Sequence, residues 1–506
     1  MKKLFAASLL CAIATFAASD GASAQTHASQ GLVVVAQKAD AYTMDPAKHS
    51  SFSTANVLMH LYDPLVTRDE KGNFAPALAL SWSNPDPLTW RFKLRQGVKF
   101  HDGEAFDAQT VKFTFDRALD PATKAPYYSR ISAIKQVVVV DKYTVDFKTA
   151  TPYPTMLFSV YEASFPALIV PPRYVKAHDA NILATRPVGT GPYRFVEWVK
   201  DDRVVMEANP DYWGGAPAIK KIVWRPISEP RTRIAELKAG GVDIAENVPP
   251  GEMKSLQAGS SKIVSIPSDF LFFFAFDTLK PGPLQDKRVR QAINYAINVD
   301  AIQKAILEGT GQRVAVNLPK DAFGYPADIA PYPYDPVKAK ALLAEAGFPN
   351  GFTIPMTSRQ GYLLKDKEIM EAAAGFLSKV GIKVVPKYME PGVWAQVSEK
   401  KGREGIMYPG WSGADADMVW YPLLATGQYQ SYFSNKALDA LLLEGRSTLD
   451  VDRRKKTYEA AAKIIKEEAP HLPMFQAPLI FGVNARLNWQ ARSDTLIDLR
   501  HAQYAR

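Results

Sequence analysis

The chain has 506 residues, 47% of them hydrophobic and 22% charged, which excludes a disordered or fibrous protein and supplies core material for more than one domain. Its formal charge is +9, yet it contains no run of five or six basic residues, so the surplus reads as a solvated basic surface and not as a nucleic-acid site. The single cysteine, Cys11, lies in the N-terminal segment, which excludes disulfides, a thiol nucleophile and a cysteine-based metal site from the remainder.

In chain order, the first object is a signal peptide over 1–24. Lys2 and Lys3 give a positive start, Leu4 to Ala18 is apolar, and Ala22-Ser23-Ala24 fits cleavage after Ala24. The apolar run is shorter than the roughly 20 residues that span a bilayer, so export is expected. Loss of Lys2, Lys3 and Asp20 would leave a soluble mature protein of lower positive charge.

GLVVVAQ (31–37) then reads as a buried strand, and TWRFKLRQGVKF (89–100) as a strand with alternating buried and solvated residues. FDAQTVKFTFDRAL (106–119) is a helix with Asp107 as its cap, and QVVVVDKYTVDFKT (136–149) is two strands around an Asp141-Lys142 turn. A helix stopped by Gly240-Gly241 precedes a short strand. FLFFFAFDTLKPGP (270–283) is an apolar strand. In DPVKAKALLAEAGF (335–348), Asp335 caps, Pro336 takes the first helical position and Gly347 ends the helix. Residues 367–389 read as a helix and a strand joined at Gly381, 457–470 as an amphipathic helix, and HLPMFQAPLIFGVN (471–484) as a second apolar strand. The alternation predicts α/β architecture in two lobes, with the two apolar strands as crossovers between them.

Six segments, in this order, resemble the peptide, opine and nickel class (family 5) of extracellular solute-binding proteins that serve ABC importers. They are YTMDPA (42–47), RFKLRQGVKFHDGEAFDAQTVKFTFDR (91–117), VGTGPYRFVEW (188–198), AELKAGGVDIAENV (235–248), DKRVRQAINYAINVDAI (286–302) and DPVKAKALLAEAGF (335–348). The resemblance implies the large, class II two-lobed periplasmic-binding-protein fold, with an additional subdomain inserted at about 68–187 of the first lobe. Lobe I would comprise 25–270 and 483–506, lobe II 278–475, and the crossovers 271–277 and 476–482. It further implies a monomer that closes on a peptide, peptide-like, opine or other anionic solute and delivers it to ABC permease subunits in the inner membrane, with no cofactor. Ligand would act by biasing an open/closed equilibrium.

The same resemblance selects the site candidates. Arg359, in PMTSRQGY, matches an arginine that meets a ligand carboxylate, a task suited to a planar guanidinium; Tyr362 is its neighbour. Gly410-Trp411-Ser412-Gly413 matches a pocket-edge segment, with Tyr408 before it. Where peptide binders carry an ammonium-pairing aspartate, this chain has Ala414. Either Asp415 has taken over the role or the solute has no free amino group, because an unpaired buried ammonium costs several kcal/mol. Asp417 matches a later family aspartate. Tyr42, Thr43 and Met44 follow the first strand, in a loop that faces the cleft in relatives.

Other chemistries compete. Asp415 and Asp417 read in isolation as a metal or glycosidase pair of a secreted hydrolase, but no calcium loop surrounds them and the chain has no His-Glu-x-x-His, Gly-x-Ser-x-Gly or phosphate-loop motif. Metal-chelate, haem, opine or sugar-phosphate capture on the same fold are further alternatives, and with seven scattered histidines a zinc site has no support.

Overall fold

The computed structural model describes residues 27–505 apart from 70, 71, 180, 258, 360 and 362. The predicted signal segment and Tyr362 lie outside the described residues.

Two antiparallel strands organise the molecule, Ser261–Phe276 and His471–Asn484, and a 12-stranded sheet extends from both of them. On the first-lobe side, Leu32–Gln37 runs parallel to both Lys221–Pro226 and Ile244–Ala245, and Arg203–Ala208 and Tyr193–Val199 complete the edge. On the second-lobe side, Phe352–Arg359 lies between two parallel neighbours, Ile382–Met389 and Ile406–Tyr408. A separate four-stranded antiparallel sheet, covering residues between Ala79 and Thr149, packs under the helix Ala108–Leu119. Asp107 caps that helix in a reciprocal capping box, and Asp335 and Pro336 start the helix Pro336–Glu345.

Burial explains the division into lobes. Val33, Val35, Trp224, Phe481 and Val483 share one core, whereas Phe272, Phe274, Met356, Met474 and Phe475 share another. The two long strands therefore change cores midway. The change coincides with a register break between Pro267 and Leu271, opposite Pro478 and Gln476. Ser268, Asp269 and Phe270 stand in that break, out of the ladder between the two long strands, as bulged residues do, and Phe270 pairs instead with Ser412. The first long strand starts nine residues before the predicted apolar run, because SKIVSIP (261–267) alternates and pairs with the end of the other strand. The late helix begins at Val451, earlier than its apolar periodicity, because Asp450 caps a charged first turn.

The C-terminal segment is latched onto the helix Phe52–Leu61 by a histidine. Fully buried His60 contacts the Asn56 carbonyl through Nδ1 at 2.7 Å and accepts the Leu499 N–H on Nε2 at 2.9 Å. These contacts fix the neutral Nδ1–H tautomer, and burial lowers the pKa to about 4. A folded pKa below the unfolded 6.5 means that the unfolded chain takes the proton first. The stability is thus complete above pH 6.5 and is lost as pH falls towards about 4. His49 and His101 act with the same sign, while Asp63 and Asp417, raised to about 6 by burial, oppose it over roughly the same window. Urea midpoints are expected to show His60→Gln, which keeps an acceptor for Leu499, losing less stability than the parent between pH 7 and about 4.5, by about 2 kcal/mol.

Candidate functional site

Between the lobes lies a cavity of about 510 Å³. Six aromatic rings stand in its lining: Phe52, Tyr153, Phe158 and Tyr161 come from the first lobe, and Phe270 and Trp411 from the second-lobe side. The rings are fixed from behind. Phe158 and Tyr161 meet edge-on at 5.9 Å, and both pack on Phe74. The Trp411 indole N–H donates to the Met418 carbonyl at 2.9 Å, and residues 411–412 pair with Phe270 and Leu271. Gly410 allows this wall to form. It has φ +65, and a Cβ there would meet the Phe270 ring at 2.7 Å.

Charge enters the cavity from two sides. Arg130 lines it, its guanidinium stacked over Tyr127 at 4.4 Å and Phe165 at 5.1 Å while donating to the Ala163 carbonyl. At the hinge side stand Asp269 and Asp494. Arg68 donates to Asp269 Oδ2 at 3.0 Å, and Arg492 holds both oxygens of Asp494 at 3.1 and 2.6 Å. Burial pushes the Asp269 carboxyl up, against the pull of Arg68. Burial also raises the Tyr161 phenol, which lies in the fields of Asp494, Arg130, Arg68 and Asp269. Thr495, also in the lining, is a β-branched residue at φ +69, so strained backbone sits at this edge.

The sequence candidates fall into three groups. Trp411, Ser412 and Gly413 line the cavity together, and Ala414 adds a methyl beside them. Arg359, Tyr408, Asp415 and Asp417 stand behind this wall. Arg359 ends the strand Phe352–Arg359, donates to the Pro409 carbonyl and covers the Trp394 ring at 5.6 Å. Tyr408 is fully buried between Phe272 and Phe274 and is core, not cleft wall. Asp415 is buried, with both oxygens bonded to Arg454 at 2.8 and 2.7 Å, which leaves neither for a metal or an acid-base step. Asp417 is buried 3.6 Å from Arg446, with a pKa raised to about 6 by burial. In the third group, Thr43 and Met44 are buried: Met44 lies fully within the first-lobe core, and the Thr43 hydroxyl accepts the Asp45 N–H at 3.2 Å. Tyr42 is half exposed on the surface and contacts His49, which stacks on Phe165 at 4.5 Å, the ring beneath Arg130.

Sequence reasoning missed Arg130, Tyr161, Asp269 and Asp494. Only Asp269 carried a local signal, an acid set immediately before a buried apolar strand in PSDFLFFF. Among the described residues no group of three His, Cys, Asp or Glu side chains is arranged to hold a metal ion, and no helix is long and apolar enough to cross a membrane.

Comparison with known proteins adds four findings. A family model described as bacterial extracellular solute-binding proteins, family 5 middle, matches residues 73–433. The chain is similar to the glutathione-binding protein GsiB of Pectobacterium atrosepticum, 31% identical over 475 residues, with 91% of each chain covered. Its fold is similar to that of HbpA2 from Haemophilus parasuis, with TM-score 0.86 and 25% identity over 94% of this chain and 99% of that one. It is also similar to the ABC transporter-associated periplasmic binding protein DppA from Helicobacter pylori in complex with the peptide STSA, with TM-score 0.74 and 28% identity over 94% and 98%.

Proposed function

The chain belongs to family 5 of the bacterial extracellular solute-binding proteins of ABC importers, and from that premise we propose that it captures a small peptide-like solute in the inter-lobe cavity and delivers it to an inner-membrane ABC permease. The observation that carries this reading is the lining itself. Flat rings from both lobes flank a space of about 510 Å³, with a guanidinium on one side and carboxylates on the other. Aromatic walls hold the body of a small solute and a few charged groups orient it. A peptide-like molecule with charges of both signs complements that distribution. The names of two relatives, a glutathione-binding protein and a binding protein solved with a peptide, support the same class. The periplasm as its location, a signal peptide removed after Ala24, and a monomeric state belong to this reading.

In it, Trp411, Ser412 and Gly413 form the second-lobe wall and Arg130 takes the anionic end of the solute. Arg359, Asp415 and Asp417 position that wall from behind, and Tyr42 supports Arg130 through His49 and Phe165. Isothermal titration with reduced glutathione and with trialanine tests the assignment. Arg130→Ala is expected to weaken binding on the order of 10–100-fold, the loss of a charged hydrogen bond. Arg359→Ala is expected to cost less, because Arg359 supports the wall from behind through the Pro409 carbonyl. Unchanged affinity in Arg130→Ala with large loss in Arg359→Ala would return the anchor to Arg359.

A second reading, an opine or other solute without a free amino group, is favoured by Ala414. Its methyl lines the cavity, and the neighbouring Asp415 is occupied by Arg454.

A further inference from the structure

We infer that the hinge carboxylates Asp269 and Asp494 form the subsite for a protonated amine of the solute, a role assigned to the crossover and the C-terminal segment and not to the second-lobe loop at 414–417. This rests on the reading that the cleft takes a peptide-like solute, and it names the part of the molecule that faces the hinge.

Position is the first support. Asp269 stands in the register break between Pro267 and Leu271, where its side chain is released from the sheet ladder. Its backbone N–H donates to the Ser493 carbonyl at 2.9 Å, and its carbonyl accepts the Gly413 N–H at 3.3 Å. One residue thus ties the crossover strand to the C-terminal segment that carries Asp494 and to the second-lobe wall. Asp269, Asp494, Gly413 and Ala414 all line the cavity.

The second support is an unmet valence. Asp269 is 9% exposed, with Oδ2 held by Arg68; the Ser493 side chain stands beside the carboxylate, and Oδ1 has no donor in full hydrogen-bond geometry. A buried carboxylate oxygen without a donor carries a desolvation cost that a ligand N–H would remove. Arg68 cannot supply that donor freely, because its Nε is committed to the Gly72 carbonyl at 2.7 Å.

The third support is where the carboxylates fall. Arg492 and Arg500 serve Glu162, Asp494 and Asp498, and Arg68 serves Asp269, and of these four carboxylates Asp269 and Asp494 are the two that line the cavity, with Arg130 as the cation of the same lining. The second-lobe wall offers no rival carboxylate at the cavity: Ala414 presents a methyl and both oxygens of Asp415 are bonded to Arg454.

A thermodynamic cycle on the full mature chain tests the inference, with reduced glutathione and trialanine as probes and their N-acetylated forms as amine-blocked partners. In the parent protein acetylation is expected to weaken binding on the order of 10–100-fold. In Asp269→Asn that penalty is expected to shrink to a few-fold, because the group that recognised the ammonium is gone. A merely structural aspartate would lower the affinity for both forms alike and leave the penalty intact. The same cycle run with Asp494→Asn guards against an unfolded variant, since Arg492 keeps Glu162 and Asp498 as partners. Probes that bind with no acetylation penalty, or with an undiminished one in folded variants, would overturn the hinge subsite and leave peptide capture standing. Failure of every probe to bind the parent protein would overturn the peptide reading and the subsite with it.

Discussion

Asp415→Asn is expected to lower the stability of the protein by about 3–5 kcal/mol, the cost of leaving a buried cation without its counter-ion. Arg454 donates through both terminal nitrogens to Asp415, and its Nε donates to the Gly445 carbonyl at 2.8 Å. Its guanidinium also lies over the rings of Phe323 and Tyr458, at 4.6 and 5.0 Å. Both side chains of the pair are nearly inaccessible, 6% and 5%, so water cannot replace the lost carboxylate. Asparagine keeps the shape and the acceptor that caps the helix Ala416–Leu424 through the Asp417 N–H at 2.9 Å, which isolates the charge. The measurement is the urea midpoint. Adding Arg454→Met is expected to recover part of the loss, since removing both partners is far cheaper than removing one. An unchanged midpoint with strongly reduced solute affinity would make Asp415 a ligand contact instead of an internal anchor.

Trp411→Ala carries the second large effect, a loss of about 2–4 kcal/mol of binding free energy, or roughly 30- to 1000-fold in Kd, the range of an aromatic hot spot. The residue is half-buried, its backbone pairs with Leu271, and its ring is oriented by its bond to Met418. Its removal opens the cavity to water on the second-lobe side. Trp411→Phe separates wall from anchor: it keeps a flat face and loses only the N–H, so it should cost about 1 kcal/mol. Equal losses in both variants would mean that the hydrogen bond, not the ring face, matters.

Local signals in this chain were legible because they are local. The Asp107 and Asp335 caps, the glycine stops and the two apolar strands need only neighbours a few residues away, and the structure places the caps and the second strand where the spacing predicts, while the first strand begins nine residues before its apolar run. The edge segment Gly410 to Gly413 was legible for the same reason, and it lines the cavity. What the sequence hid is convergence. Arg130, Tyr161, Asp269 and Asp494 come from four separate segments and meet only after the crossover bends and the C-terminal segment returns to the hinge. The Asp-Ala-Asp pattern misled in the opposite direction. Its first carboxylate is neutralised by Arg454, 39 residues away, a pairing that no local pattern shows. Met44 and Tyr408 misled because a loop or edge position says nothing of which way a side chain turns, and both turn into cores.

The central claim is that the inter-lobe cavity holds a small peptide-like solute. Native mass spectrometry of the protein purified from its own host tests it most directly. The account predicts a small-molecule adduct on the parent protein, released on denaturation as a compound with amide bonds and an ionisable group at each end, and absent from Trp411→Ala. An adduct retained unchanged by Trp411→Ala, or a released compound without peptide-like chemistry such as a bare metal chelate or a haem, would contradict it.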